Sequence, residues 1–349
     1  MRIAQVAPLY ESVPPKYYGG TERVVSYLSE ELVRQGHDVT LFASGDSETK
    51  ARLVAACPRS LRLDKRCQNQ MAHHFVMLEH VFRRVSEFDI IHFHVDYLHF
   101  PFSRREAVTQ VTTLHGRLDI PDLVPLYAEF QDMPVISISN GQRDPLPWAN
   151  WQATVYHGLP RDIYQFHPEP GSYLAFLGRI SPEKRVDRAI EIAKQVAMPL
   201  KIAAKVDQVD KDYFESMISP LLRNSSVEFV GEIGDVEKDE FLGNAYALLF
   251  PIDWPEPFGL VMIEAMACGT PVIAYSGGAV PELVEQGHTG FIVESLEDAV
   301  EAVRQVAHLS RKRCRDVFEQ RFTATRMAHD YVQQYERLIA RSQEVSEAA

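Results

Sequence analysis

Short apolar runs alternate with amphipathic segments from one end of the chain to the other, the signature of consecutive parallel βαβ units. That alternation excludes a meandering all-β fold. The first unit is the clearest. Residues 3–7 read as a strand, residues 22–35 as a helix with Val24, Leu28 and Leu32 on one face, Gly36 as its stop, and residues 39–43 as the next strand. Further strands are expected at 90–95, 111–114, 135–138 and 153–156. Between Gly158 and Ser172 the pattern lapses into a polar stretch carrying Pro160, Pro168, Pro170 and Gly171, the composition of an interdomain linker. It then restarts, with strands expected at 173–177, 200–205, 227–230, 247–251 and 271–275. A chain of 349 residues has the length of two domains or of one large barrel, and the restart after the lapse points to two. The expected organisation is a doubly wound α/β domain over 1–158, a linker over 159–171, a second such domain over 172–324, and a C-terminal helical segment over 325–349.

Charge and cysteines remove several function classes. Lys+Arg 36 against Asp+Glu 48 gives a net charge of −12, which argues against a nucleic-acid partner, because phosphate-backbone binding takes a basic footprint. Cys57, Cys67, Cys268 and Cys314 form no C-x-x-C pair and no zinc spacing, so neither a disulfide framework nor a structural metal is expected. A reduced, cytoplasmic setting fits them best. The N-terminal apolar stretch is broken by Gln5 and ends at Glu11, too short and polar for a signal peptide. No run approaches the roughly 20 apolar residues of a membrane span, so membrane association is expected to be peripheral at most.

In open parallel sheets, ligands bind outside the carboxyl ends of the strands, which directs attention to three loops. The first ends in Gly19-Gly20-Thr21-Glu22 at a helix start, where free backbone N–H groups favour an anion or simply make a tight entry turn. It lacks the G-x-G-x-x-G of dinucleotide folds. The second, Gly178-Arg179-Ile180-Ser181-Pro182-Glu183-Lys184, uses Ser181 as N-cap and Pro182 as the first helical residue. It brings Arg179 and Lys184 to the sheet edge, where two cations suit a diphosphate or pair with surface acids. The third runs from Glu256 to Gly269 and is apolar from Gly259 to Cys268 except for Glu264, the pattern of a buried helix. A carboxylate there requires either a basic partner or a ligand with donors such as a ribose diol.

Other features carry weaker signals. His115 follows a strand directly and is well placed for a substrate. His92 and His94 share a face, as packing residues or as metal ligands with no recognisable third partner. Asp210-Lys211-Asp212 forms a D-x-D string in a polar helix start and reads as a solvated face, as does the run Arg311, Lys312, Arg313 and Arg315. Tyr17, Tyr18, Tyr97, His99, Phe100 and Phe102 either stack on a bound ligand or belong to the core. The basic stretch 51–67 is either a solvated face or an anionic-lipid patch.

As a set, Gly19-Gly20-Thr21-Glu22, Gly178-Arg179 with Glu183-Lys184, and the pair Glu256/Glu264 within EPFGLVMIEAMACGTPVIA resemble the retaining glycosyltransferases of family 4. The similarity runs from the first strand to about Glu294 and is strongest over 173–294. It implies the GT-B fold, two facing Rossmann-like doubly wound parallel-sheet domains with an interdomain cleft, and a final helix over roughly 325–342 that crosses back to the N-terminal domain. The implied activity is transfer of a hexosyl group from a nucleotide-diphosphate sugar, UDP-sugar favoured and GDP- or ADP-sugar as alternatives, to a saccharide or other hydroxyl acceptor, without metal or other cofactor. By this resemblance Arg179 and Lys184 hold the diphosphate and stabilise the leaving charge. Glu264 binds the ribose hydroxyls, and Glu256 the donor sugar's hydroxyls beside the backbone amides of Phe258, Gly259 and Leu260. His115 contacts the donor sugar, and Gly19 and Gly20 approach the diphosphate. Reaction on one sugar face, with the departing diphosphate oxygen taking the acceptor's proton, is the family's scheme. Where many members carry Asn-Gly and then Asp, this chain reads His157-Gly158-Leu159-Pro160, so no role transfers to His157. A phosphorylase using a sugar phosphate and a nucleotide-sugar binding protein without turnover remain as alternatives.

Overall fold

The structure, a computed structural model, describes residues 1–223 and 226–348; residues 224–225 and Ala349, the last position of the expected C-terminal segment, lie outside the described residues. The chain forms two compact units: Met1–Pro160 together with the C-terminal segment from Ala324, and Arg161–Thr323.

The first unit is built on a seven-stranded sheet of β1 (Arg2–Val6), β2 (Asp38–Ser44), β3 (Arg52–Cys57), β4 (Ile90–Phe93), β5 (Gln110–Thr113), β6 (Val135–Ser137) and β7 (Trp151–Thr154), in the order β3-β2-β1-β4-β5-β6-β7. The second carries six strands, β8 (Tyr173–Ile180), β9 (Leu200–Val206), β10 (Val227–Gly231), β11 (Ala245–Phe250), β12 (Val272–Tyr275) and β13 (Gly290–Val293), in the order β10-β9-β8-β11-β12-β13. Every pairing is parallel. The order reverses between β1 and β4 and between β8 and β11, the switch points at whose carboxyl ends such sheets form their ligand crevices.

The doubly wound α/β architecture of each unit matches the sequence expectation. Two strands were not expected. β3 is an edge strand with half-exposed residues along its length, so its apolar period is blurred, and the four residues of β13 are too few to display one. The helix Gly20–Arg34 buries Val24, Val25, Leu28 and Leu32 and ends as expected at Gly36, whose φ of 87° is the left-handed stop conformation.

The stretch expected as a linker is packed, from Arg161 onward, within the second unit. Tyr164 is 2% exposed, and His167 N–H donates to the Cys268 carbonyl at 3.0 Å. Two buried arginines hold it there. Arg311 and Arg315 are not on a solvated face but buried. Arg311 donates to the carbonyls of His167, Ala245 and Gly243 and to Thr270 Oγ1. Arg315 donates to the carbonyls of Tyr164, Ala267 and Arg161. A guanidinium with five donors can satisfy such a set of irregular carbonyls, and these two do so along the proline-bearing stretch.

In the first unit, basic residues of the 51–67 stretch are paired with acids: Arg52 with Glu87 at 2.7 Å, Arg66 with Asp64 at 2.9 Å, and Arg62 with Glu11. The C-terminal helix Ala324–Ala348 belongs to this unit and buries Met327, Ala328, Tyr331, Tyr335 and Leu338. Among the described residues, no helix is long and apolar enough to cross a membrane.

Candidate functional site

At the β8/β11 switch of the second unit, four sequence-selected residues meet two loops. β8 ends in Gly178-Arg179-Ile180, followed by a single tight turn at Pro182–Lys184. The expected helix does not begin at Pro182. Ser181 makes no capping bond through its side chain, Arg185 adopts a left-handed φ of 51°, and the α-helix runs from Val186 to Gln195. Lys184 therefore sits on the turn before the helix, with its ammonium on Glu256 Oε2. It lies 4.9 Å from the centre of the Trp254 ring and 5.5 Å from that of Phe250, within cation–π range of both. Trp254 Nε1–H donates to the same carboxylate oxygen at 3.0 Å, and Asp253 N–H donates to the Glu183 carbonyl at 2.8 Å. The two loops are thus tied together at backbone and side-chain level.

Arg179 donates to Glu183 Oε1 at 2.6 Å and lies 3.9 Å from Asp207 and 3.7 Å from Asp210. Asp210 is accordingly not on a solvated face: its carboxylate is largely covered and burial holds it above its ordinary pKa. These three acids position the guanidinium at the end of β8, each contact on so partly exposed a side chain being individually weak.

Glu256 is held from behind by a turn whose meaning the sequence hid. Gly278 has φ 54°, and a Cβ there would fall 2.1 Å from the Glu256 carbonyl oxygen and 2.5 Å from its amide nitrogen. Ala279 N–H donates to that carbonyl at 2.9 Å. Gly278→Ala is expected to displace Glu256 and lower kcat/KM at least tenfold. Gly287→Ala, at φ 72° with nothing within 4 Å of the new Cβ, carries the backbone strain alone and is expected to leave turnover near wild type.

The apolar segment forms the buried helix Leu260–Cys268 behind Gly259, whose φ is 84°. No side chain caps it, and the first N–H groups of a helix have no intrahelical acceptors. Glu264 is 3% exposed. Its Oε1 takes Lys238 Nζ at 2.8 Å and the Tyr164 hydroxyl at 3.5 Å. The basic partner demanded by burial is therefore present. Lys238 was missed because it lies on another helix, Asp235–Gly243, at no diagnostic spacing.

In the first unit, Gly20 opens the helix Gly20–Arg34, and Gly19 is required by close approach, since a Cβ there would lie 2.8 Å from Pro15 Cβ. Glu22 in the first turn is 5% exposed, and burial raises its carboxyl to about 7. His115 follows β5. Its Nε2 lies 2.9 Å from His94 Nδ1, and its ring stacks on His157 at 5.3 Å. His92 and His94 are buried, with both ring nitrogens of each in hydrogen bonds. The aromatic set divides. His99 and Phe100 are core, with His99 stacked on Phe93 at 3.6 Å, while Tyr17, Tyr18 and Phe102 are exposed.

These histidines predict an acid-labile first unit. Burial holds His92, His94, His99 and His157 well below the usual histidine range and His115 at about 3. Below pH 6.5 the unfolded chain binds protons there that the folded chain does not, so stability falls with falling pH, by about 1.4 kcal/mol per pH unit for each such histidine. Glu22 and Asp96, whose carboxyls desolvation raises to about 7 and about 6, oppose the trend, since each binds a proton in the folded state first, but they are outnumbered by the five histidines. Urea unfolding followed by fluorescence is expected to lose midpoint steeply from pH 6.5 to 5. An unchanged midpoint refutes the buried neutral histidines.

Family models match both units. Residues 164–320 match glycosyl transferases group 1 and residues 18–153 match glycosyltransferase family 4. A protein of 41.2 kDa in the cps region of Klebsiella pneumoniae is 28% identical over 169 residues, spanning 46% of this chain and 45% of that protein. The glycogen synthase of Mycobacterium tuberculosis strain H37Rv is 25% identical over 397 aligned positions, covering 95% of this chain and 94% of its own. Among solved structures, Alr3699/HepE of Anabaena in complex with UDP and glucose superposes with a TM-score of 0.76 at 18% identity, over 97% of this chain and all of that one.

Proposed function

This chain is a family 4-like glycosyltransferase with the GT-B fold, and on that footing we propose that it transfers a hexosyl group, with retention at the anomeric carbon, from a nucleotide-diphosphate sugar to a hydroxyl acceptor. The observation that carries this reading is the Lys184–Glu256 contact at the carboxyl ends of β8 and β11. One cation for the leaving phosphate and one carboxylate for sugar hydroxyls stand side by side there, on loops fixed by Trp254 and Gly278. Lys184 and Arg179 supply the positive charge that stabilises the departing diphosphate, an electrostatic role protein cations can fill without a metal. Glu256, its Oε2 held by Lys184 and Trp254, accepts hydrogen bonds from the sugar hydroxyls. The backbone amides of Phe258, Gly259 and Leu260 lie at the uncapped helix start where anionic or hydroxyl groups are favoured. Glu264, with Oε1 on Lys238, receives the ribose diol.

In the chemistry we favour, the donor's anomeric C–O bond to the diphosphate breaks, the acceptor oxygen bonds to the same face of that carbon, and the leaving diphosphate oxygen takes the acceptor's proton. In the same reading His115 contacts the donor sugar and the Gly19-Gly20 helix start approaches the diphosphate. UDP leads among donors because the Anabaena relative was solved with UDP and glucose. The test is a panel of UDP-, GDP- and ADP-sugars read by nucleotide release, with pooled saccharide acceptors, with chelator, and with phosphate. Acceptor-dependent release from a UDP-sugar in chelator, with an unchanged anomeric configuration by NMR, is the expected result. Release only with phosphate makes the protein a phosphorylase, and binding without release makes it a carrier.

A further inference from the structure

Three polar residues sit where parallel-sheet cores are normally apolar: Gln5 on β1, His92 on β4 and Thr113 on β5, each essentially unexposed. The register pairs Gln5 with His92 and His92 with Val111, so with a period of two all three side chains share one face. His94, two residues beyond His92, continues it. Tyr331 and Tyr335 of the C-terminal helix cover this face, and the polar atoms join in one chain. His94 Nε2 lies 2.8 Å from Gln5 Oε1, Gln5 Nε2 lies 3.1 Å from the Tyr335 hydroxyl, and that hydroxyl lies 2.6 Å from His92 Nδ1. His92 Nε2 reaches Thr113 Oγ1 at 2.7 Å, and Thr113 reaches the Tyr331 hydroxyl at 2.9 Å.

The polarity of this chain follows from one amide. Gln5 Oε1 only accepts, so His94 must donate through Nε2–H. Burial keeps His94 neutral, so its Nδ1 is an acceptor, and the bond to His115 at 2.9 Å must be donated by His115 Nε2–H. On the other side, Gln5 Nε2–H donates to Tyr335, whose O–H donates to His92 Nδ1, and His92 Nε2–H donates to Thr113. What remains at the end of the chain is His115 Nδ1, a buried nitrogen that takes no hydrogen bond among the described residues. Rotating the Gln5 amide by half a turn would reverse every bond and make that nitrogen a donor.

We propose that Gln5 and His94 are positioning residues that fix His115 in the Nε2-protonated tautomer, so that Nδ1 is presented as a hydrogen-bond acceptor for a hydroxyl of the donor sugar. This rests on the reading of His115 as a donor-sugar contact. The role is specific. A neutral acceptor selects a hydroxyl and rejects a sugar carrying an acceptor-only group at that position.

The experiment reads the tautomer directly, by long-range ¹H–¹⁵N NMR of the imidazoles in the free protein, with His115 assigned by its substitution. The wild type is expected to show one His115 tautomer with the proton on Nε2. Gln5→Met, which keeps the side chain's length, and His94→Phe, which keeps a ring, are each expected to distribute the proton over both nitrogens. Each should also lower kcat about tenfold with KM for the donor changed less than twofold. Gln5→Glu, which keeps an acceptor towards His94, is expected to retain the wild-type tautomer. A wild-type proton on Nδ1, an unchanged tautomer in both variants, or a shifted tautomer with unchanged kcat overturns the proposal. Because the tautomer is read with no donor present, a wild type that fails to turn over any nucleotide sugar sinks the transferase reading and is told apart from failure of the tautomer itself.

Discussion

Lys184→Ala is expected to lower kcat by about 10² to 10³-fold, the usual loss when one preorganised charge at a developing anion is removed, while KM for the donor changes far less. The ammonium is held by the Glu256 carboxylate on one side and two aromatic faces on the other. Its position is therefore set before any ligand arrives, and the reorganisation cost is already met by the fold. A purely structural ion pair would behave otherwise. The two partners lie largely out of solvent, at 17% and 10% side-chain exposure, so Lys184→Ala would then lower the unfolding midpoint and leave kcat per folded molecule intact. Single-turnover nucleotide release on material of verified fold separates the two. Glu256→Gln is expected to lower turnover as well, and the double variant to lose much less than the product of the single losses, because contacting residues that act as a unit are not additive.

Glu264→Ala is expected to have two large effects that can be separated. It removes the carboxylate that pairs with Lys238, leaving an ammonium at 12% side-chain exposure with Asp235 at 3.6 Å. Breaking a buried pair from one side costs about 3–5 kcal/mol, read as a lower urea midpoint for the second unit. It also removes the proposed ribose acceptor, so nucleotide affinity by calorimetry should fall at least tenfold. Glu264→Leu combined with Lys238→Met replaces the whole pair by apolar groups and is expected to recover most of the stability but none of the affinity. Recovery of affinity in the double variant would make Glu264 a structural residue only.

The parts of this molecule that could be read from sequence are those fixed by local pattern. The central strands, the Gly36 stop and the buried helix around Glu264 all follow from apolar periodicity and one glycine. Glu264 stood out because a lone carboxylate in an apolar helix requires compensation, yet Lys238, which provides it, arrives from a helix that periodicity alone does not dock. Arg311 and Arg315 read as surface charge because a helix with four basic residues near its start looks solvated. Their burial is set by carbonyls distant in sequence, those of Arg161, Tyr164 and His167 on the proline-bearing stretch and those of Gly243, Ala245 and Ala267. At Gly278 only the approach of the Glu256 backbone, distant in sequence, shows why a side chain is not tolerated. Gln5 entered only as a polar break in an apolar run; its role depends on a strand register and a helix some 330 residues away. What failed to show in sequence was tertiary pairing of polar groups, which carries no period.

The division of the chain has a consequence for how it is made. The second unit is one continuous stretch, Arg161–Thr323, but the first is assembled from residues 1–160 and the helix beginning at Ala324. At about 5–20 residues per second of synthesis, the sheet made first waits roughly 8–30 s for the helix that covers its polar face. During that interval Gln5, His92 and Thr113 have no tyrosine hydroxyls to meet. A stop codon near residue 324 would therefore spare the unit just completed and strand the one completed on paper long before, leaving a nascent half-domain for chaperones to hold.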